Sequence, residues 1–214
     1  PKRLLLPLAS DRLSFTELTV ADGDRVEPGQ VLARDPDHHN LPLPAPREGT
    51  VHLEDVPDGH LVLDDLGAGP QPKSAAQTAS RTDRTVRLVE LGAWTYFADA
   101  VTGEVPDPDV EPQAIIVSTL RLEPFGTRGD ALLSEGLDRF ARGLEHLQSL
   151  LEYQPMYLVV PDVQAELADE LHERLRGLAE VDKVTVPIQY PVDHRFVLAE
   201  GLGLSRAEAR TWYL

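Results

Sequence analysis

The chain lacks cysteine altogether, holds only three lysines (Lys2, Lys73 and Lys183) and is poor in aromatics, at 6%. Without cysteine, these 214 residues offer no disulfide, no thiolate nucleophile and no Cys-ligated zinc or iron–sulfur cluster. No run approaches the roughly 18 apolar residues of a membrane span, and no secretory apolar core is visible. Positive charge is short too: 20 Lys and Arg face 36 Asp and Glu, a formal net charge of −16. That balance argues against nucleic acid or anionic lipid held through a basic surface and reads first as solubility. No G-x-G-x-x-G or P-loop pattern is present, so neither standard phosphate cradle can be assigned.

What is present begins at Val20. The stretch Val20 to Val51 reads as short apolar strands broken by Asp22-Gly23-Asp24 and Glu27-Pro28-Gly29-Gln30, then Ala45-Pro46 leading to Gly49-Thr50-Val51. The glycines suit tight turns and the valines and leucines supply one buried face. This pattern resembles the biotinyl/lipoyl-type β-sandwich, the barrel-sandwich hybrid. The resemblance implies a hairpin that displays a lysine for acylation. Here the hairpin is Asp35 to Pro44 and has no lysine, so a structural or docking module is expected, without lipoyl or biotin. The β module is placed at 1–66 and a small, polar, Pro/Gly-bearing linker or loop at 67–87.

From there the pattern changes period. Gln113 to Ser118, Tyr157 to Val160 and Lys183 to Ile188 are short apolar runs suited to strands buried in a sheet. Between them, Leu133, Leu137, Phe140, Leu144, Leu147 and Leu151 stripe one helix, and Leu167, Leu171, Leu175 and Leu178 a second, opened by Asp162. Strand–helix–strand–helix–strand predicts a Rossmann-like, three-layer α/β domain with a mainly parallel sheet over 88–201. A capping box at Ser205 to Glu208 predicts a last helix, so 202–214 reads as the truncated start of a further region and the chain as part of a longer protein.

Few residues suggest chemistry. His38 and His39 adjoin in the hairpin, where neighbouring positions face opposite ways, so a solvated tip is expected and no metal site. Asp193-His194 has no nucleophile motif beside it. Leu91-Gly92-Ala93-Trp94-Thr95-Tyr96-Phe97 carries two readings: Trp94 and Phe97 plug the gap expected between the two domains, or the segment stacks on a ring-shaped ligand.

These pieces, in this order, resemble the NqrA family, the A subunit of the Na+-translocating NADH:quinone reductase. They are the lipoyl-like module, Leu91 to Trp94, Glu111 to Ser118, Glu123-Pro124-Phe125, the helix Gly136 to Leu147, and Tyr190-Pro191. They are similar, too, to the C subunit of the Rnf electron-transport complex and, more distantly, to the flavin-binding subunit of complex I. The flavin-binding relatives cradle FMN in a Gly-Gly-Ala-x-Phe-Pro loop. This chain keeps Gly92, Ala93 and Phe97, lacks the second glycine and the proline, and places Trp94 between them. Gly92, Ala93, Trp94, Tyr96 and Phe97 are therefore the candidate cofactor contacts, with Trp94, Tyr96 and Phe97 doubling as a candidate contact patch.

The resemblance implies a peripheral subunit on the cytoplasmic side of the bacterial inner membrane. Its partners would be integral membrane subunits of a redox-driven sodium pump. Quinone, flavins and iron–sulfur centres would lie in those partners, with no cofactor, catalytic residue or metal in this chain. The alternatives are an Rnf-type electron-input subunit binding FMN or NADH, and a free-standing binding module.

Overall fold

The computed structural model describes residues 2–69, 80–120, 136–162, 169–170, 173, 181–206 and 210–214, arranged as two compact units, Pro1–Thr95 and Tyr96–Leu214. The expected linker stretch 70–79, the second expected helix (Leu167 to Leu178, apart from positions 169, 170 and 173), the loop 121–135 and most of the predicted capping box lie outside these residues.

The first unit is two antiparallel sheets. One is built from β1 (Leu4–Pro7), β3 (Arg25–Val26), β6 (Gly49–His52) and β7 (His60–Asp64), in the order β1–β7–β6–β3. The other is built from β2 (Glu17–Leu18), β4 (Val31–Asp35) and β5 (Leu41–Pro44), in the order β2–β4–β5. Leu32 and Ala33 of β4 share a single core with Val51 of β6 and Leu61 and Leu63 of β7. Gly23 and Gly29 do what their place in the sequence predicts. They adopt φ of 82° and 85°, a region costly for side chains with a Cβ, and so turn the chain between strands.

Two expectations need correction. The segment assigned to a linker and to the start of the second domain contains helix α1 (Arg81–Glu90), opened by a reciprocal capping box between Ser80 and Asp83. Its side chains are mostly polar, which disguised it, yet Thr85 is buried and α1 packs on β5. The first unit accordingly runs to Thr95. The C-terminal tail is the second correction: Thr211–Tyr213 is strand β12, inside the second unit's sheet, where a truncated outlying region was expected. Trp212 is fully buried there, and Thr-Trp-Tyr is a β-favouring triplet.

The second unit is one five-stranded mixed sheet of β8 (Ala98–Asp99), β9 (Ala114–Ser118), β10 (Met156–Pro161), β11 (Asp182–Val186) and β12, in the order β11–β10–β9–β12–β8. Parallel pairing holds from β11 through β12, as the alternating strands and helices predict, and only β8 runs antiparallel. Helix α2 (Leu137–Gln148) connects β9 to β10 and buries Leu137, Ala141 and Leu144. Helix α3 (Arg195–Gly201) stands before β12 and buries Leu198 and Ala199.

Candidate functional site

The Leu91–Phe97 loop leaves α1 through Gly92, whose φ is +69°. A Cβ there would lie 2.8 Å from Pro44 Cδ and 3.4 Å from the Pro42 carbonyl oxygen. Glycine is thus demanded by close packing on β5. The loop's polar groups are taken up locally. Thr95 Oγ1 donates to the Gly92 carbonyl at 2.8 Å, and Arg12 Nη2 donates to the Thr95 carbonyl at 2.8 Å. Trp94 is fully buried, Tyr96 is 76% exposed, and Phe97 is 2% exposed. Phe97 meets Trp212 edge to face, with ring centroids 5.6 Å apart and planes at 74°.

Two aromatics are interior, one is solvent-facing, and Gly92 is covered by Pro44.

The hairpin tip is organised by Asp35, which is wholly buried. Its carboxylate accepts from the Ser14 N–H at 2.6 Å, the Asp37 N–H at 3.1 Å and the His38 N–H at 3.2 Å, and lies 2.9 Å from His38 Nδ1. Burial pushes the Asp35 pKa up, but the Ser14 N–H and the His38 ring outweigh it and hold it below the ordinary carboxylate value. His39 and Asn40 then turn the chain at φ of 54° and 56°. His38 is thus bonded to a buried carboxylate and does not share a ligand position with His39. No group of three or more His, Asp or Glu suited to a metal occurs among the described residues. Sequence reading gave Asp35 no role; the Asp-Pro-Asp turn signal was its only trace.

In open α/β sheets, ligands favour the carboxyl ends of strands where the strand order reverses. Here that point lies between β9 and β12. Thr119 Oγ1 donates to the Val159 carbonyl at 3.1 Å and the Ser118 N–H to the Leu214 carbonyl at 2.9 Å. Tyr213 OH donates to the Asp193 carbonyl at 3.3 Å, and burial raises the Tyr213 pKa. His194 Nδ1 accepts from the Phe196 N–H at 3.3 Å as the N-cap of α3.

With that geometry in place, a family model described as "NqrA second alpha/beta domain" matches residues 79–190. The chain belongs to that family. The A subunit of the Na(+)-translocating NADH-quinone reductase of Vibrio atlanticus is 32% identical over 138 residues, covering 60% of this chain and 31% of that protein. The corresponding Pseudomonas aeruginosa protein is 28% identical over 142 residues, covering 62% of this chain and 32% of its own length. The C subunit of the ion-translocating oxidoreductase complex of Haemophilus influenzae is 22% identical over 203 residues, covering 87% of this chain and 24% of that protein. The chain thus spans about a quarter to a third of these relatives. The family match begins at residue 79 and so includes α1, although α1 packs with the first unit.

Proposed function

We propose that this chain is part of a peripheral subunit of a membrane respiratory complex that couples NADH oxidation and quinone reduction to sodium transport. In this reading it stands on the cytoplasmic side of the bacterial inner membrane and serves assembly and docking. Electron carriers belong to integral partner subunits. The observation that carries it is the family match over residues 79–190, joined by relatives named as subunits of such a reductase. No helix among the described residues is long and apolar enough to cross a membrane, which agrees with attachment through partners.

Two finer points belong to the same proposal. The first unit is a barrel-sandwich hybrid that carries no lipoyl or biotin, because its hairpin has no lysine to acylate. The Leu91–Phe97 loop holds no FMN, because Pro44 covers Gly92 and Trp94 is buried.

One observation favours a second reading. The Haemophilus protein aligns over 87% of this chain, more than the reductase relatives do, so an Rnf-type electron-input subunit is the alternative. Purifying the full-length protein from gently solubilised native membranes tests both. Recovery of integral redox subunits with a colourless, flavin-free copy of this protein supports the docking reading. A yellow copy with stoichiometric flavin supports the alternative, and no integral partner at all supports a free-standing binding module.

A further inference from the structure

A sheet edge exposes unpaired N–H and C=O groups, and proteins blunt such edges with short strands, prolines, charges or covering elements. The edges of this molecule differ in how far they are blunted. β2, β3 and β8 are two residues long. β5 contains Pro42 and Pro44 and is packed by α1. β1 is four residues long and ends in Pro7. β11, Asp182–Val186, is the longest edge strand among the described residues and has no proline within it. Its charged side chains, Asp182 and Lys183, are confined to its first two positions, and Lys183 Nζ lies 2.5 Å from Asp169 Oδ1. Pro187 comes only after the strand has ended.

A second observation falls beside it. Among the described residues of this unit, the exposed large apolar side chains are Tyr96, Val110, Tyr153, Ile188, Tyr190 and Phe196. Three of the six lie between 188 and 196, directly after β11, with Ile188 at 49% exposure and Tyr190 at 83%. The segment is ordered by its own bonds. The Val192 N–H donates to the Gln189 carbonyl at 2.9 Å, the His194 N–H to the Pro191 carbonyl at 2.9 Å, and Tyr213 OH reaches the Asp193 carbonyl. An edge strand without an internal proline, and with no strand on its outer side among the described residues, running into exposed aromatic and aliphatic side chains is the arrangement that strand addition uses. Backbone bonds supply affinity there, and side-chain contacts supply selection.

We infer that the outer edge of β11, with Ile188 and Tyr190, is a docking surface for one extended segment of a partner subunit, which pairs with Asp182–Val186 as an added strand. The inference rests on the docking reading above and names the surface that reading needs. Charge selects the occupant. A second copy would set two chains of −16 edge to edge. A neutral or basic extended segment meets no such repulsion, and mixed-sign surfaces are what fix partner choice.

The test is hydrogen exchange on the full-length protein, alone and within the complex purified from solubilised native membranes. Photo-crosslinking from position 190 then identifies the contacting segment by mass spectrometry. The β11 amides should exchange at least about tenfold more slowly in the complex, with a crosslink to an extended stretch of a partner subunit. The double variant Ile188→Asp, Tyr190→Asp should lower partner recovery at least about tenfold, with the thermal midpoint within about 2 °C of the parent. A recovered complex in which β11 exchanges as in the free protein overturns the inference and leaves the docking reading standing. Protection that appears in the protein alone and grows with its concentration assigns the edge to a second copy and overturns the occupant. Failure to recover any complex contradicts the docking reading itself.

Discussion

The two units solve the same problem, burying an apolar face, in opposite ways. The first uses strands of two to five residues and relies on its turns: left-handed glycines, the paired His39 and Asn40, and a buried carboxylate that ties three backbone N–H groups. The second uses strands whose inner residues are buried on both faces, such as Ile115, Ile116, Leu158 and Val159, and fills the remaining space with Phe97 and Trp212. Both units bury an apolar core; the first adds polar bonds that fix its turns, and the second adds the Phe97–Trp212 ring pair. Damage to a turn should therefore stay local in the first unit, while loss of the ring pair should spread through the sheet of the second.

The largest effect expected is on the second unit. Trp212→Ala empties a fully buried, edge-to-face ring site and should cost about 3–5 kcal/mol, read as a lower denaturation midpoint for that unit. If the first unit's protected amides fall equally, the two units are one cooperative body and the contrast fails.

Next comes Asp35→Ala, which strands the Ser14, Asp37 and His38 N–H groups and should cost about 2–3 kcal/mol, confined to the first unit. Because its folded pKa is lowered, the stability Asp35 contributes is present above the ordinary aspartate pKa. It should be lost as pH falls through the folded value, and acid melts of parent and variant should converge there.

A smaller cost, about 1–2 kcal/mol, is expected for Gly92→Ala, which combines positive φ with a contact at 2.8 Å from Pro44. Amide exchange should rise in α1 and β5 while β9 and β10 are unaffected. The smallest effect belongs to His52, whose Nε2 lies 2.9 Å from Asp64 Oδ1 and whose pKa is raised, chiefly by that partner. Its contribution is complete below the ordinary histidine pKa and lost as pH rises through the raised value. His52→Gln should thus flatten the pH dependence of melting near neutrality, with no change in acid below that range.

How much of this was legible depends on whether the signal was local. Turns with glycine at Gly23 and Gly29, and apolar runs at Ile115 and Val159, announce themselves, because each is fixed by its own residues. α1 did not, because a helix docked by a few contacts carries a mostly polar sequence, although Ser80 and Asp83 spelled its cap. β12 was misread because a capping box upstream suggested helix, whereas pairing with β9 and burial of Trp212 decide strand. The candidate loop was legible as unusual, but not that Trp94 and Phe97 are buried while Tyr96 is exposed. The approach of Pro44 to Gly92 depends on a strand nearly fifty residues earlier, and no local pattern reports it. The role of Asp35 depends on Ser14, twenty-one residues away, and no local pattern reports it.

Native gel electrophoresis of gently solubilised membranes, from the host and from a strain lacking this gene, probes the central claim most directly. The full-length protein should comigrate with the integral subunits of a redox complex, and its loss should leave those subunits in smaller assemblies. Migration of the protein at its free size only, with the integral complex unchanged in the deletion strain, would contradict the account.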